Sequence, residues 1–310
     1  MIKIFKGAEN RFVSTSEIEK NCWANVFKPD KDELEKLSEE FKIPPDFLTD
    51  PLDIDERARI EVEGDTILIV LRVPKVDENN SEFPFTTLPV GIILAKDIIV
   101  TVCSADINTI LELLNGKTRT FSCENRSRFI LNIFFSTALL YLKYLKEINK
   151  QTNEVEKELQ KSMKNEELIK LLNIEKSLVF FTTSLKSNEL MMERLHRIEA
   201  LRLNVDEKDL LEDVIIDNKQ AIEMANIYSN ILSGMMDAFA SVISNNLNIV
   251  MKFLTSVTIL LMIPTLIASI YGMNVELPFQ HAPHAFFIVM GVFLVLSIIS
   301  VLVFLKNKWF

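Results

Sequence analysis

Two uncharged, apolar segments near the C-terminal end constrain this chain more than any other feature. They are Phe253–Val275 and Ala282–Leu305, and neither contains Asp, Glu, Lys or Arg. Each is longer than the roughly 20 residues that a helix needs to cross the hydrocarbon core of a bilayer. The second is apolar on every side, which disfavours a buried hairpin in a soluble protein. We predict transmembrane helices over residues 250–271 and 285–305, joined by an external loop over residues 272–284.

The basic residues at the ends of these segments predict their orientation. Lys252 precedes the first segment, whereas Lys306 and Lys308 follow the second in a short basic tail over residues 306–310. The connecting loop contains neither Lys nor Arg. Because positively charged loops stay on the cytoplasmic side, we expect both termini in the cytoplasm and the loop outside a cell membrane. The N-terminal residues "MIKIFKGAEN" lack the apolar core of a secretory signal peptide, in agreement with this topology.

Residues 1–123 have the pattern of a soluble domain that mixes strands and helices. Runs rich in Ile and Val, bounded by Pro, Gly, Asp or Asn, predict strands over Met1–Phe5, Cys22–Phe27, Arg59–Val73, Thr86–Leu94 and Ile98–Cys103. Asp30 is a candidate N-cap for a helix, and the helices expected here are Lys31–Phe41, Asp46–Asp50 and Ala105–Leu114. We therefore predict an α/β cytosolic domain over these residues.

Residues 124–249 are almost free of helix-breaking residues. No proline occurs between Pro89 and Pro264, and no glycine between Gly116 and Gly234. We predict three long amphipathic helices, over Glu124–Met163, over Asn165–Glu199 and from Glu207 into the first membrane segment. Helices of this length favour bundle or coiled-coil packing and oligomerisation. The predicted fold class is an α/β N-terminal cytosolic domain, a long-helix stalk and two C-terminal transmembrane helices.

Polar side chains and methionines recur in steps of three and four along the third long helix. At 100° per residue they stay within an arc of roughly 120°. This set, called the polar stripe below, is Asp237, Ser241, Ser244, Asn248, Met251, Thr255, Thr258, Met262, Thr265 and Ser269. Serine and threonine in a membrane helix often bond to their own carbonyls or support helix packing. The alternative is that several copies of the helix line a pore, with Met251 and Met262 as flexible apolar collars.

Charge and motifs argue against several functions. The net charge of −9 disfavours nucleic acid as a partner. The segment "LLNGKT" resembles a phosphate-binding loop, but Leu111 stands where the motif requires glycine, so no nucleotide is expected to bind. The three cysteines match no CxxC zinc pattern and suggest reduced thiols in the cytosol. No catalytic triad or metal-hydrolase pattern occurs, so we expect neither an enzyme nor an organic cofactor.

The first membrane segment ends in Tyr-Gly-Met-Asn, from Tyr271 to Asn274. With the preceding "MIPTLIASIY", the short loop, the second apolar segment and the basic "KNKWF" end, this motif resembles the CorA family of divalent-cation transporters. The resemblance implies a funnel-shaped homopentamer in a lipid bilayer that conducts Mg²⁺ and accepts Co²⁺ and Ni²⁺. It also implies a selectivity filter of Gly272, Met273 and Asn274, with Tyr271 in support, in which the Asn274 amide oxygens bind the hydrated ion.

The same resemblance assigns roles along the pore. It places Asn248, Leu254, Met262 and Thr265 at lining or constriction positions, and Asp237 in an acidic ring at the cytosolic end. The polar stripe contains all of these residues except Leu254, which falls at its edge.

The resemblance further implies that cytosolic Mg²⁺, bound between subunits, holds the channel shut. Asp50 in "FLTD" and Asp213 in "LLEDV" fall on the regulatory carboxylates of the family. Thr49 stands where a second carboxylate often lies. A solvated surface acid is the alternative interpretation of both positions.

The external loop contains a single acid, Glu276, and two of the protein's three histidines, His281 and His284. Repeated around an oligomer, Glu276 would attract cations through its charge. Histidines at i and i+3 can bind Zn²⁺, Co²⁺ or Ni²⁺, but this pair lacks third and fourth ligands, and loop packing is the alternative.

Two further functions are compatible with the sequence. A zinc or cobalt transporter of the same superfamily would share the fold, although Met273 in the middle of the motif favours Mg²⁺. A non-conducting membrane scaffold or receptor would have no need of the polar stripe.

Overall fold

The computed structural model describes residues 1–8, 11–15, 20–76, 84–106, 125–161, 165–197, 201, 203–275, 277–278 and 283–307. The chain divides into two compact units, Met1–Gly234 and Met235–Phe310. The first holds a mixed sheet with helices on both faces, and the second holds the apolar helical segments.

The described part of the first unit is built on a sheet of seven strands. They are β1 (Ile2–Ala8), β2 (Arg11–Thr15), β3 (Cys22–Phe27), β4 (Arg59–Glu63), β5 (Thr66–Val76), β6 (Phe85–Ala95) and β7 (Ile98–Cys103). Their spatial order is β2-β1-β3-β7-β6-β5-β4. The β3–β7 pair is parallel, and the other neighbouring pairs are antiparallel.

Six α-helices are described along the chain. They are α1 (Lys31–Phe41), α2 (Pro45–Thr49), α3 (Arg126–Lys161), α4 (Asn165–Arg197), α5 (Val205–Tyr271) and α6 (Ala285–Lys306), and a 3₁₀ helix (Asp50–Leu52) follows α2. Helix α1 begins with a reciprocal cap. The Glu33 amide donates to the Asp30 carboxylate at 2.8 Å, and the Asp30 amide donates to the Glu33 carboxylate at 3.1 Å.

Most predicted elements of the first unit agree with the structure, and α1, β3 and β7 agree in their bounds. The prediction of a single strand over Arg59–Val73 is wrong. Gly64, with φ of 57°, adopts a left-handed conformation that turns the chain back between β4 and β5. Strand β2 was not predicted, because its sequence Arg-Phe-Val-Ser-Thr shows neither apolar alternation nor a continuous apolar run. The predicted helix Ala105–Leu114 lies almost entirely outside the described residues.

The two faces of the sheet form separate cores, because successive residues of a strand point to opposite faces. On one face, Trp23 and Ile92 share a core with Phe129 of α3. On the other face, Ile93 shares a core with Phe47 of α2. Helices α1 and α2 with the 3₁₀ helix therefore cover one face, and α3 and α4 cover the other.

Three of the described helices are long and apolar enough to cross a membrane by length and composition: α3, α5 and Phe286–Lys306 of α6. Their most apolar windows differ in burial, which is 67% in α3, 6% in α5 and 0% in α6. Helix α3 buries much of its apolar surface in the core of the first unit. The two predicted membrane helices lie within α5 and α6, whose apolar side chains are left largely uncovered in one chain.

Candidate functional site

The Tyr-Gly-Met-Asn motif forms the C-terminal end of α5. The Gly272 amide still donates to the Ala268 carbonyl at 2.9 Å, as in a helix, whereas the Met273 amide donates to the Ile270 carbonyl at 3.2 Å in a tighter turn. Asn274 follows directly, and its side chain is exposed. The motif thus presents an amide side chain at the point where the helix ends.

Two residues of the motif, Tyr271 and Gly272, shape this end of the helix. The Tyr271 hydroxyl donates to the Pro278 carbonyl at 3.2 Å, which ties the helix end to the following loop. Gly272 has no left-handed φ, so its backbone conformation does not by itself require glycine. A Cβ on Gly272 would lie 3.3 Å from the Ala268 carbonyl oxygen, so glycine allows a close approach to the preceding helical turn.

The polar stripe is exposed along its whole length in the single chain, from Asp237 to Ser269. Leu254 at its edge is also exposed. On the opposite side of α5, the buried or half-buried residues are Ser256, Val257, Leu260, Ile263, Pro264 and Ile267. The stripe therefore belongs to the surface of α5 that one chain leaves open, and exposed apolar residues such as Leu261 and Leu266 share that surface.

Some hydroxyls of the polar stripe bond to their own helix, as one of the two interpretations expected. Thr258 donates to the Leu254 carbonyl at 2.8 Å, and Thr265 donates to the Leu261 carbonyl at 3.0 Å. A hydroxyl that donates in this way keeps its lone pairs as acceptors. These contacts consequently leave oxygen atoms that can accept hydrogen bonds from water on the exposed face.

The two predicted regulatory acids occupy different settings. Asp50 opens the 3₁₀ helix, and its Oδ2 lies 2.7 Å from Nη2 of Arg59, with 36% of the Asp50 side chain exposed. Asp213 is exposed on α5. Burial, together with the charge of Asp213, raises the pKa of neighbouring Asp217. Within the described residues of one chain, no three His, Cys, Asp or Glu side chains converge to hold a metal.

Arg59 was not anticipated from the sequence, although a signal for it exists. Its guanidinium bonds to Asp50, to Glu56 and, at 3.2 Å, to Glu61. Arg59 and Glu61 are two residues apart on β4, so the strand period places them on one face. The contact with Asp50 depends on how the 3₁₀ helix docks, and local sequence does not encode that docking.

The loop after the motif is described only in part. Glu276 and His281 lie outside the described residues. His284 is exposed at the N-terminal end of α6, where its carbonyl accepts from the Ile288 amide at 3.1 Å. The role of these side chains stays a prediction.

The sequence matches known proteins along nearly its whole length. Residues 19–306 match the family model described as CorA-like Mg²⁺ transporter protein. A cobalt/magnesium transport protein CorA from Methanocaldococcus jannaschii is 30% identical over 292 residues, which cover 93% of this chain and 90% of that protein. A protein of the same description from Thermotoga maritima is 25% identical over 293 residues, covering 93% of this chain and 83% of that protein.

Solved structures give the same result. The complete structure of the CorA magnesium transporter from Methanocaldococcus jannaschii matches with a TM-score of 0.85 at 27% identity, covering 100% of this chain and 99% of that chain. The ZntB cytoplasmic domain from Vibrio parahaemolyticus matches with a TM-score of 0.60 at 14% identity, covering 79% and 96%, a likeness of fold alone. The family match extends over nearly the whole length and includes a relative at 30% identity, so the chain belongs to the CorA-like Mg²⁺ transporter family.

Proposed function

We propose that this chain forms a channel for passive uptake of Mg²⁺ across the cell membrane, with Co²⁺ and Ni²⁺ as further substrates. The observation that carries the proposal is the exposed polar stripe of α5, which leads from Asp237 to the Tyr271–Asn274 motif. Relatives at 30% and 25% identity are described as cobalt/magnesium transport proteins, which supports divalent cations as the substrate class.

In this proposal the pore forms between copies of the chain in a homopentamer. One copy offers one stripe, so an enclosed path needs several copies of α5 around an axis. Asn274, at the end of each α5, would supply a ring of neutral amide oxygens. Because Mg²⁺ sheds its waters reluctantly, such a ring can select the hydrated ion by accepting hydrogen bonds from its first shell. Tyr271, bonded to Pro278, would hold the ring in place.

The rest of the stripe would divide into polar and apolar levels. Thr255, Thr258, Thr265 and Ser269 offer hydroxyl oxygens, and Asn248 offers an amide. Met251, Leu254 and Met262 would form apolar constrictions, which close by expelling water when the pore narrows. Asp237 would concentrate cations at the cytosolic end, and Glu276 would do so in the external loop.

The membrane potential would drive transport without a nucleotide. A divalent ion moving inward across 100 mV gains about twice 2.3 kcal/mol. Cytosolic Mg²⁺ would limit the flux by binding to Asp50 and Asp213 at subunit interfaces in the closed state, because a ligand stabilises the state that binds it better. Both termini would lie in the cytoplasm.

Uptake into vesicles tests the proposal. The reconstituted protein should admit Mg²⁺ under an inward-negative potential, and Asn274→Ala should reduce that uptake severalfold. Asn307→Ala, an equivalent truncation beyond the C-terminal end of α6, serves as the matched control and should leave uptake unchanged. Unaltered uptake in Asn274→Ala would exclude the filter role, and absence of any cation uptake would favour a non-conducting scaffold.

A zinc or cobalt transporter is the second candidate, and it rests on the fold likeness to the ZntB cytoplasmic domain. The same vesicles, loaded with indicators for Mg²⁺ or Zn²⁺ and tested with and without a proton gradient, separate the two. Zn²⁺ uptake that depends on the proton gradient and exceeds Mg²⁺ uptake would replace the Mg²⁺ proposal.

A further inference from the structure

One guanidinium faces three carboxylates beside the 3₁₀ helix. Arg59 bonds through Nη2 to Asp50 at 2.7 Å, through Nη1 to Glu56 and through Nε to Glu61 at 3.2 Å. The side chain of Arg59 is only 29% exposed. The single positive charge holds together a group of acids that would otherwise repel one another.

Hydrogen bonds hold the backbone that carries two of these acids. The Asp53 amide donates to the Asp50 carbonyl at 3.1 Å, which closes the 3₁₀ turn. Arg72 donates to the Ile54 carbonyl at 2.7 Å and to the Glu56 carbonyl at 2.8 Å. The loop that carries Asp50 and Glu56 is thereby clamped to β5.

Arg59, by contrast, reaches the acids through a long and flexible side chain. When another cation approaches Asp50, the backbone that carries this carboxylate has little freedom to move. The guanidinium can withdraw by changing rotamers. Arg59 is therefore the member of the group that can yield its place.

We propose that Arg59 is a tethered counter-cation that competes with divalent cations for Asp50 and sets the cytosolic Mg²⁺ concentration at which the channel closes. This inference rests on the regulatory role proposed for Asp50. In the ion-free protein, Arg59 neutralises Asp50 and keeps the acids from repelling one another. A divalent ion at Asp50 meets the repulsion of the guanidinium until Arg59 withdraws, so the Mg²⁺ affinity is lower than the carboxylates alone would give.

The opposite role for Arg59 has the opposite consequence. If Arg59 only oriented Asp50 for the metal, its removal would weaken Mg²⁺ binding. If Arg59 competes, its removal strengthens Mg²⁺ binding. The sign of the change in Mg²⁺ affinity decides between the two roles.

The test uses the full-length protein in detergent and Mg²⁺ protection against limited proteolysis as the readout. Arg59→Gln should lower the Mg²⁺ concentration that gives half-maximal protection at least about fivefold, the effect of about 1 kcal/mol. Arg57→Gln removes the same charge two residues away, from an exposed side chain, and should change that concentration by less than about twofold.

Two more variants protect the test against a folding defect. Arg59→Lys keeps the charge and should stay close to the wild-type midpoint. Asp50→Asn should abolish the protection by Mg²⁺. In the double variant with Asp50→Asn, Arg59→Gln should cause no further change in that protection. An unchanged or higher midpoint in Arg59→Gln, or an equal decrease in Arg57→Gln, would overturn the competition. A wild-type protein without any Mg²⁺ protection would instead refute the regulatory role of Asp50, and the inference about Arg59 with it.

Discussion

The ring of Pro51 occupies the space that a side chain on Gly91 would fill. A Cβ on Gly91 would lie 2.3 Å from Cγ of Pro51 and 2.9 Å from its Cβ, which is closer than non-bonded atoms can approach. Gly91 lies in the middle of β6, where glycine has no conformational advantage. Its role is to admit the 3₁₀ helix, and hence Asp50, against the sheet.

Gly91→Ala should therefore displace the 3₁₀ helix and destabilise the protein. We expect a loss of about 1–3 kcal/mol in the free energy of unfolding, the usual cost of an inserted methyl group in a packed core. Thermal unfolding of the full-length protein measures it. Gly234→Ala is the control, because a Cβ there meets nothing within 4 Å, and alanine inside α5 should stabilise by up to about 1 kcal/mol. Equal melting temperatures for the two variants would contradict the role of Gly91.

The side chain of Asn188 on α4 forms hydrogen bonds with backbone groups at Arg72 of β5. The Arg72 amide donates to its Oδ1 at 2.9 Å, and its Nδ2 donates to the Arg72 carbonyl at 2.7 Å. Arg72 lies opposite Pro89 in β6, and the pairing with β4 reaches only as far as Val70. The buried carboxamide of α4 thus takes the place of a neighbouring strand.

Asn188→Leu should leave the Arg72 amide without a partner in the core. An unsatisfied buried donor costs about 1–3 kcal/mol, and the loss should appear in the denaturant midpoint of the full-length protein. The carbonyl would keep the hydroxyl of Tyr141, which donates to it at 3.1 Å. Asn230→Leu, the same exchange at an exposed position of α5, should have no such effect. A midpoint in Asn188→Leu equal to that of the control would refute the strand-like role.

Local signals predict parts of this fold well, and the failures come from one ambiguous local pattern and from contacts between distant residues. Helix α1 could be located to the residue because its cap, Asp30 with Glu33, lies within one turn. The β4–β5 turn was missed because Ile and Val continue on both sides of Gly64. No local pattern joins Asn188 to Arg72, which are 116 positions apart.

The candidate site was likewise predictable from local sequence only in part. The helical period alone placed the polar stripe on one face of α5, and the structure leaves that face exposed. Asp50 was found through family resemblance, but its pairing with Arg59 was not. That pairing needs Pro51 to dock at Gly91, a contact between a turn and a strand that lie 40 positions apart.

The protonation of Asp217 should make stability depend on pH. Burial, followed by the charge of Asp213, raises the pKa of Asp217 above its ordinary value of 3.8. The folded protein then binds this proton more tightly than the unfolded chain. The stability that protonated Asp217 contributes is therefore complete below pH 3.8 and disappears as the pH rises through the folded pKa.

Asp217→Asn should therefore raise the melting temperature at pH 7 and have little effect near pH 4. The measurement is thermal unfolding in the presence of a chelator, so that divalent cations do not screen the two acids. Asp209→Asn removes an exposed carboxylate eight residues before Asp217 on α5, and it should not show the same pH-dependent gain because Asp209 is not buried. A gain of equal size at both pH values would contradict the explanation by charge.

Met262 should act as an apolar collar of the proposed pore. Its side chain is 63% exposed in the polar stripe, and that of Phe253, on the opposite side of α5, is 53% exposed. Because narrow apolar constrictions close by expelling water, Met262→Ser should let water remain and raise Mg²⁺ leak severalfold under conditions that close the wild-type channel. Phe253→Ser also replaces an exposed apolar side chain, about 180° around α5 from Met262, and should leave the leak unchanged. Flux into vesicles with high internal Mg²⁺ compares the two variants, and an equal leak in both would show that Met262 does not line the path.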